Sequence, residues 1–451
     1  MEDKIMPTVE ELKALAIEEI DKRKEEIIGH AKHILNNPEV GFTEFKTSKY
    51  VSEIFSKLGI EHDANLALTG LKGNIDCGGG EGPNVSVIGE LDSLRIFEHP
   101  IHDLTTGAAH ACGHHCQIGS MIGSIIGLIV PEVKNNLSGS IIPIAVPAEE
   151  FIDVEQRMLL REEGKIEFMG GKQEFIKLGV FDDVDMAMMC HTSATNTTFG
   201  VGGTSNAHIV KYVEFTGQAA HAGGSPHMGI NALNAAMIAL TGINANRETF
   251  LDTDTVRVHG ILTRGGQAVS SIPSQVTLEW RVRSGSNEAV VANSKKVDRC
   301  FQAGAMAVGA KVSVTNIPGY MPRLDNPQLQ ELFLQNAGHL TTKDDIDIID
   351  NSHNGGGSTD MGDLSQIMPT LHPYVGGGDG VGHSETYLIH DYEKAVIQPA
   401  KAMACVVIDL LSNNAAKAKE IKEKHNYNMT ASQYLNFQRS VAEVIEYAPE
   451  G

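Results

Sequence analysis

Positive charge is scarce in this chain. Thirty-six Lys and Arg stand against 57 Asp and Glu, a formal net charge of −21 at pH 7. That balance repels phosphate backbones and anionic bilayers, so neither nucleic acid nor membrane is an expected partner. Long apolar runs are also missing: Ile118–Val130, the longest, is diluted by Gly and Ser and too short to span a bilayer. The N-terminal stretch MEDKIMPTVEELK is acidic and has no apolar core of the secretory kind. Cysteine is sparse, and positions 77, 112, 116, 190, 300 and 405 form no dense disulfide framework. These absences imply a reducing, cytoplasmic setting. No repeat with a period of about 20–50 residues recurs, which argues against a solenoid. The Gly355–Gly357 run lacks the Lys-Ser/Thr ending of a phosphate loop.

What is present is an ordinary globular mix, 41% apolar and 21% charged over 451 residues, enough for two or three domains with one interrupted by an insertion. Thr8 with Glu11 makes a capping box, and an amphipathic face runs from Leu12 through Ile20 and Ile27 to Leu35 before Asn37-Pro38 stops it. A second helix is expected over Phe45–Leu58. Val85–Ile88 and Ile141–Val146 read as buried strands separated by a helix near Gly119–Val130, the pattern of βαβ units. The expected fold is therefore α/β, a mixed, largely parallel sheet with flanking helices. After about Ala207 the texture changes to alternating strands (Ile209–Phe215, Val256–Leu262, Val276–Val282) and two helices (Asn231–Ile243, Ala289–Val308). That segment predicts an inserted α+β domain with an antiparallel sheet, residues 207–318 between a first part, 1–206, and a second part, 319–451. Beyond Ala415 a polar helical tail is expected.

Four local patterns carry chemistry. In His110-Ala-Cys-Gly-His-His-Cys116, a glycine between Cys112 and His114 lets thiolate and imidazole converge on one ion if the segment is a turn before a helix. A buried cysteine beside surface histidines is the plainer alternative. Glu149-Glu150 follows the strand IIPIAV, and adjacent side chains there point apart. One carboxylate is thus placed for metal and its neighbour for acid–base work, unless the pair is only a solvated turn. His191 closes the apolar run MAMMC, and His383 follows a glycine-rich stretch. Alone, either could be a structural or surface residue. Taken together, Cys112, His114, Glu150, His191 and His383, with Glu149 to spare, suit two divalent ions sharing a bridging thiolate or water, an arrangement for metal-assisted hydrolysis.

With these motifs and several others, the chain resembles the dinuclear metallo-amidohydrolases of metallopeptidase family twenty, in the aminoacylase- and carboxypeptidase-G-like group. The branch is that of indole-acetyl-amino-acid hydrolases, β-alanyl-dipeptide hydrolases and aminobenzoyl-glutamate hydrolase. The further motifs are NPEVGFTEFKTS (37–48), GELDSL (89–94), HACGH (110–114), PAEE (147–150), QAAHAG (218–223), Gly265-Gly266, Ile272-Pro273 with Arg283, and STDMGD (358–363). The resemblance implies that Cys112, His114, Glu150, His191 and His383 bind two divalent ions, Zn2+ or Mn2+, and that Glu149 is the general acid/base. It implies that Asp92 orients the site and that Arg283 meets a substrate carboxylate. His221, carried on the inserted lid and dimerisation domain, would complete an active site, commonly that of the partner subunit in a homodimer. The expected reaction is hydrolysis of an amide in a small molecule: a dipeptide, an N-acyl amino acid or an aminobenzoyl-glutamate-like conjugate.

Three positions depart from the family pattern. His115, followed by Cys116, stands where Asp or Asn is common, and Ser270 replaces the lid Asn. STDMGDLS replaces the SEDF-type motif and points to the aminobenzoyl-glutamate and β-alanyl-dipeptide side. Two rival readings use the same residues. A cysteine hydrolase with Cys112 as nucleophile would survive chelators and die with alkylating reagents. A non-catalytic small-molecule binder on the same fold would hydrolyse nothing.

Overall fold

The fold is taken from a computed structural model and is described for residues 7–449, so the first six residues of the N-terminal stretch lie outside the description. Its first layer is a six-stranded mixed sheet. The order is Glu61–Leu66, Gly70–Asp76, Ser140–Val146, Asn84–Glu90, Met186–Met188 and Thr370–Leu371. The last four are mutually parallel, and the first two form an antiparallel hairpin edge. Helix His114–Leu128 is buried along its whole length. It packs on the sheet and against helices Val9–Lys22, Lys24–Leu35 and Gln398–Lys424, the arrangement that makes parallel strands continuously apolar. The expected first helix is in fact two, parted at Arg23, although the Thr8–Glu11 capping box forms as anticipated.

Gln398–Lys424 belongs to a helical stretch apolar enough and long enough to cross a membrane, but it is mostly buried inside the protein. That makes it a core helix here, and residues 412–415 break it in two.

The second layer system is a five-stranded antiparallel sheet in the order Arg257–Arg264, Gln275–Ser284, Ala207–Thr216, Lys311–Pro318 and Glu443–Tyr447. Helices Ala232–Asn246 and Asn287–Val308 pack together on it around their own apolar cluster. One difference from the sequence expectation stands out. The polar tail is helical over Ala431–Val441, but its end is a strand paired with Lys311–Pro318, so it extends the second sheet. Its alternation of Glu, Val, Ile, Glu and Tyr, partly exposed throughout, is too short to separate from a helical reading.

Candidate metal centre

The site forms where strand ends and the loops after them meet. Asn84–Glu90 ends at Glu90, with Asp92 two residues on; Ser140–Val146 runs into Glu149 and Glu150; Met186–Met188 is followed by His191. His114 opens the long buried helix. Gly113 caps that helix at φ 84°, and a Cβ there would lie 1.9 Å from Thr192 Oγ1. Only glycine serves at such a position, and it is this turn that brings Cys112 and His114 to one side.

Cys112 Sγ lies 3.4 Å from His191 Nε2, and His383 Nε2 lies 3.3 Å from Glu150 Oε1. The donor atoms of Cys112, His114 and His191 fall within 4.8 Å of one another, as do those of Cys112, Glu150 and His383. Cys112 belongs to both sets, the position a bridging thiolate requires. His114 Nδ1 faces the Asp92 carbonyl at 3.0 Å, and His191 Nδ1 faces the Thr192 carbonyl at 2.7 Å. A carbonyl only accepts, so each Nδ1 carries the proton and each Nε2 offers a lone pair to the centre. His114 Nε2 and Glu150 Oε1 are buried and make no hydrogen bond. Buried polar atoms rarely stay unpaired, and a soft-and-hard N, S and O donor set of this kind fits divalent cations of the zinc class.

The electrostatics separate the two adjacent glutamates. Burial, with the Glu90 and Glu150 carboxylates behind it, holds Glu149 well above the usual carboxylate range. Burial works the same way on Glu150, but His383 and His114 outweigh it and lower that group. Neighbouring carboxyls pushed in opposite directions are the mark of divided acid–base and ligand roles. Burial pushes the Cys112 thiol well up, and Glu150 adds to the push. His191 is held at about 4 by burial and His114. Burial disfavours charge on His114, yet Glu90 and Cys112 overcome it, so the field at Nε2 favours positive charge.

Cys112, Glu149, Glu150, His191 and His383 line a cleft of about 220 Å³ that also holds Phe151, His208, Arg281, Arg283, Tyr320 and Ser358. Arg283 Nη1 donates to Ser358 Oγ at 2.9 Å. His221 is not in this cleft. It sits exposed on the second domain, where its Nδ1 accepts from the backbone N–H of Gly223 (3.1 Å) and Gly224 (2.9 Å). A neutral His221 therefore presents Nε2–H, the opposite tautomer to His114 and His191. Of the departures, Ser270 is exposed, while His115 and Cys116 are buried in the helix start with no hydrogen bond to either His115 nitrogen.

Residues 200–307 match the peptidase dimerisation domain of family twenty. The chain is 28% identical over 344 residues to a Xaa-Arg dipeptidase of Mus musculus, 74% of either chain, and 25% identical to an IAA-amino acid hydrolase of Arabidopsis thaliana over 79% of this chain and 75% of that one. A dinuclear metal-binding family-twenty peptidase of Bacillus subtilis shares the fold with a TM-score of 0.63, at 20% identity, over 86% of this chain and 98% of that one. The chain is thus similar in sequence to these hydrolases and shares the fold of the family-twenty peptidase.

Three residues of the candidate centre escape the sequence reading. Glu90 Oε2 lies 3.2 Å from His114 Nε2, Lys172 reaches Glu90 Oε1 at 2.5 Å, and Lys172 also pairs with Asp360. Glu90 had a signal: it stands two before Asp92 at a strand end, on the same side by strand alternation. Lys172 had none, because a lysine at a helix start looks like a solvated one.

Proposed function

We propose that this protein is a metal-dependent hydrolase of amide bonds in small substrates. The observation that carries this reading is the convergence of the donor atoms of Cys112, His114, Glu150, His191 and His383, two of them (His114 Nε2 and Glu150 Oε1) buried without a hydrogen bond, with Glu149 beside them. Those five residues would hold two divalent ions, Zn2+ or Mn2+. Such ions, when bound, make water nucleophilic near neutrality and polarise the amide carbonyl.

The chain's own groups do the rest. Glu149, whose burial raises its affinity for a proton, takes one from the attacking water and hands it to the departing amine, a role worth roughly 10²–10⁴-fold. Its backbone carbonyl is held by the Tyr320 hydroxyl, which fixes the start of the side chain. His221 offers its Nε2–H to the oxygen that becomes negative. Because it is remote from its own cleft's lining, it serves the partner subunit's site. Arg283, steadied by Ser358, meets the carboxylate of a dipeptide, N-acyl amino acid or similar conjugate, a class in keeping with the substrates in the relatives' names.

This arrangement calls for a homodimer through the second domain, a reading that the match to a dimerisation domain supports. Arg257–Arg264 is an edge strand, and Ile261 and Leu262 on it are exposed, as are Met237 and Ile238 on the neighbouring helix. Open edges and apolar patches of this kind are surfaces for association. Six free thiols among the described residues accord with a cytoplasmic setting.

The contact between Cys112 and His191 favours a second reading, a cysteine hydrolase. A nucleophilic thiol needs a lowered pKa, whereas burial raises this one. The deciding experiment loads the purified protein with Zn2+ or Mn2+ and screens mixed dipeptides and N-acyl amino acids by mass spectrometry, with and without chelator. Hydrolysis lost to the chelator supports the metal reading, and hydrolysis that survives it but yields to alkylation overturns it.

A further inference from the structure

We propose that Glu90 is an additional metal ligand, held in position by Lys172 and Asp360. The proposal rests on the metal-centre reading above and adds to it a residue outside the five.

Glu90, Lys172 and Asp360 are each wholly buried. Lys172 Nζ bonds Glu90 Oε1 at 2.5 Å and also bonds Asp360 Oδ1, while its backbone N–H donates to Asp360 Oδ2 at 3.1 Å. That fixes one oxygen of Glu90 and leaves Oε2 free. Oε2 makes no hydrogen bond and lies 3.2 Å from His114 Nε2, which makes none either. The two buried atoms face one another with no hydrogen bond between them, so a cation seated there would be held by both.

The spacing agrees. Oxygen and nitrogen ligands at about 2.0–2.2 Å on a tetrahedral ion stand roughly 3.4 Å apart. The donor atoms of Glu90, His114 and Glu149 also lie within 4.8 Å of one another. Charge points the same way. Lys172 offsets one of its two carboxylate partners, so the remaining carboxylate charge favours a cation beside it.

Lys172 and Asp360 are on this account positioning residues. A lysine held rigidly on Oε1 keeps Glu90 from turning away, and partners of ligands typically tune metal affinity about 10–100-fold.

The test uses the full chain stripped of metal and titrated with Co2+, whose visible absorption reports the ligand set. Metal content is read by mass spectrometry, with circular dichroism to check folding. Glu90→Gln is expected to bind Co2+ at least about tenfold more weakly than the wild type and to change the intensity of the visible bands. Lys172→Met should weaken binding in the same direction, and Lys172→Arg should recover most of it. A folded Glu90→Gln protein with wild-type affinity and spectrum overturns the proposal and leaves the five-residue centre standing. Should Glu90→Gln not fold, the Lys172 pair decides: equal affinity for Met and Arg overturns it. A wild-type protein that takes up no Co2+ overturns the metal reading itself, a result distinct from either.

Discussion

Asp92 sets which nitrogen of His114 faces the cleft. Its backbone carbonyl and its Oδ1 lie 3.0 Å and 3.2 Å from His114 Nδ1, and its Oδ2 accepts the Glu150 backbone N–H at 2.8 Å. One carboxylate therefore fixes a ring tautomer and the backbone of a second candidate ligand. In Asp92→Asn, the amide must turn its NH2 toward one of two donors. The variant is expected to lose about 1–3 kcal/mol of stability and about 10–100-fold in metal affinity, measured by chemical denaturation and metal titration.

Gly113 is the hinge of the site. A methyl group at φ 84° would press on Thr192 Oγ1, which itself donates to the Cys112 carbonyl at 3.2 Å. Gly113→Ala should cost more than about 1 kcal/mol and displace Cys112 from His191. Lower thermal stability together with sub-stoichiometric metal would be the observed result.

A His221 that acts across the dimer has a test no single-subunit site can pass. His221→Ala and Glu149→Gln should each be nearly inactive, the first by roughly 10²–10³-fold. Co-expressed, they form mixed dimers in which one site keeps both wild-type residues, and activity should return. Mixed dimers as inactive as the parents would place His221 in its own subunit's site.

The six-stranded sheet and most of the second domain were legible because their strands and helices carry strong periodicity: IIPIAV and the run from Ile209 to Phe215 admit few other readings. The candidate metal cluster was legible because Cys, His and Glu at strand ends have few structural uses in such density. What escaped depended on partners distant in sequence. Lys172 and Asp360 are 188 positions apart, and no local pattern marks either as buried. The final strand, Glu443–Tyr447, exists because Lys311–Pro318 presents an open edge, a fact of the tertiary fold.

Acid should destabilise the protein through its buried neutral histidines. Burial and the adjacent Arg323, which donates to His372 Nδ1 at 2.8 Å, hold His372 well below the usual histidine value. In the unfolded chain the same group takes a proton near pH 6.5, so as pH falls below that value the unfolded state binds more protons and stability drops. Each such group contributes up to about 1.4 kcal/mol per pH unit until the folded pKa is reached. His372→Gln should flatten the fall in stability between pH 7 and pH 5, followed by urea denaturation at fixed ionic strength. An unchanged slope would contradict the neutral, buried assignment.

The central claim is a division of labour between neighbours, Glu149 for proton transfer and Glu150 for metal. Metal content and amide hydrolysis, measured on the same preparations of wild type, Glu149→Gln and Glu150→Ala, test it most directly. Glu149→Gln is expected to keep its metal and lose roughly 10²–10⁴-fold in turnover, while Glu150→Ala is expected to lose metal and activity together. A Glu149→Gln protein that is metal-free, or a Glu150→Ala protein that is fully loaded, would contradict it.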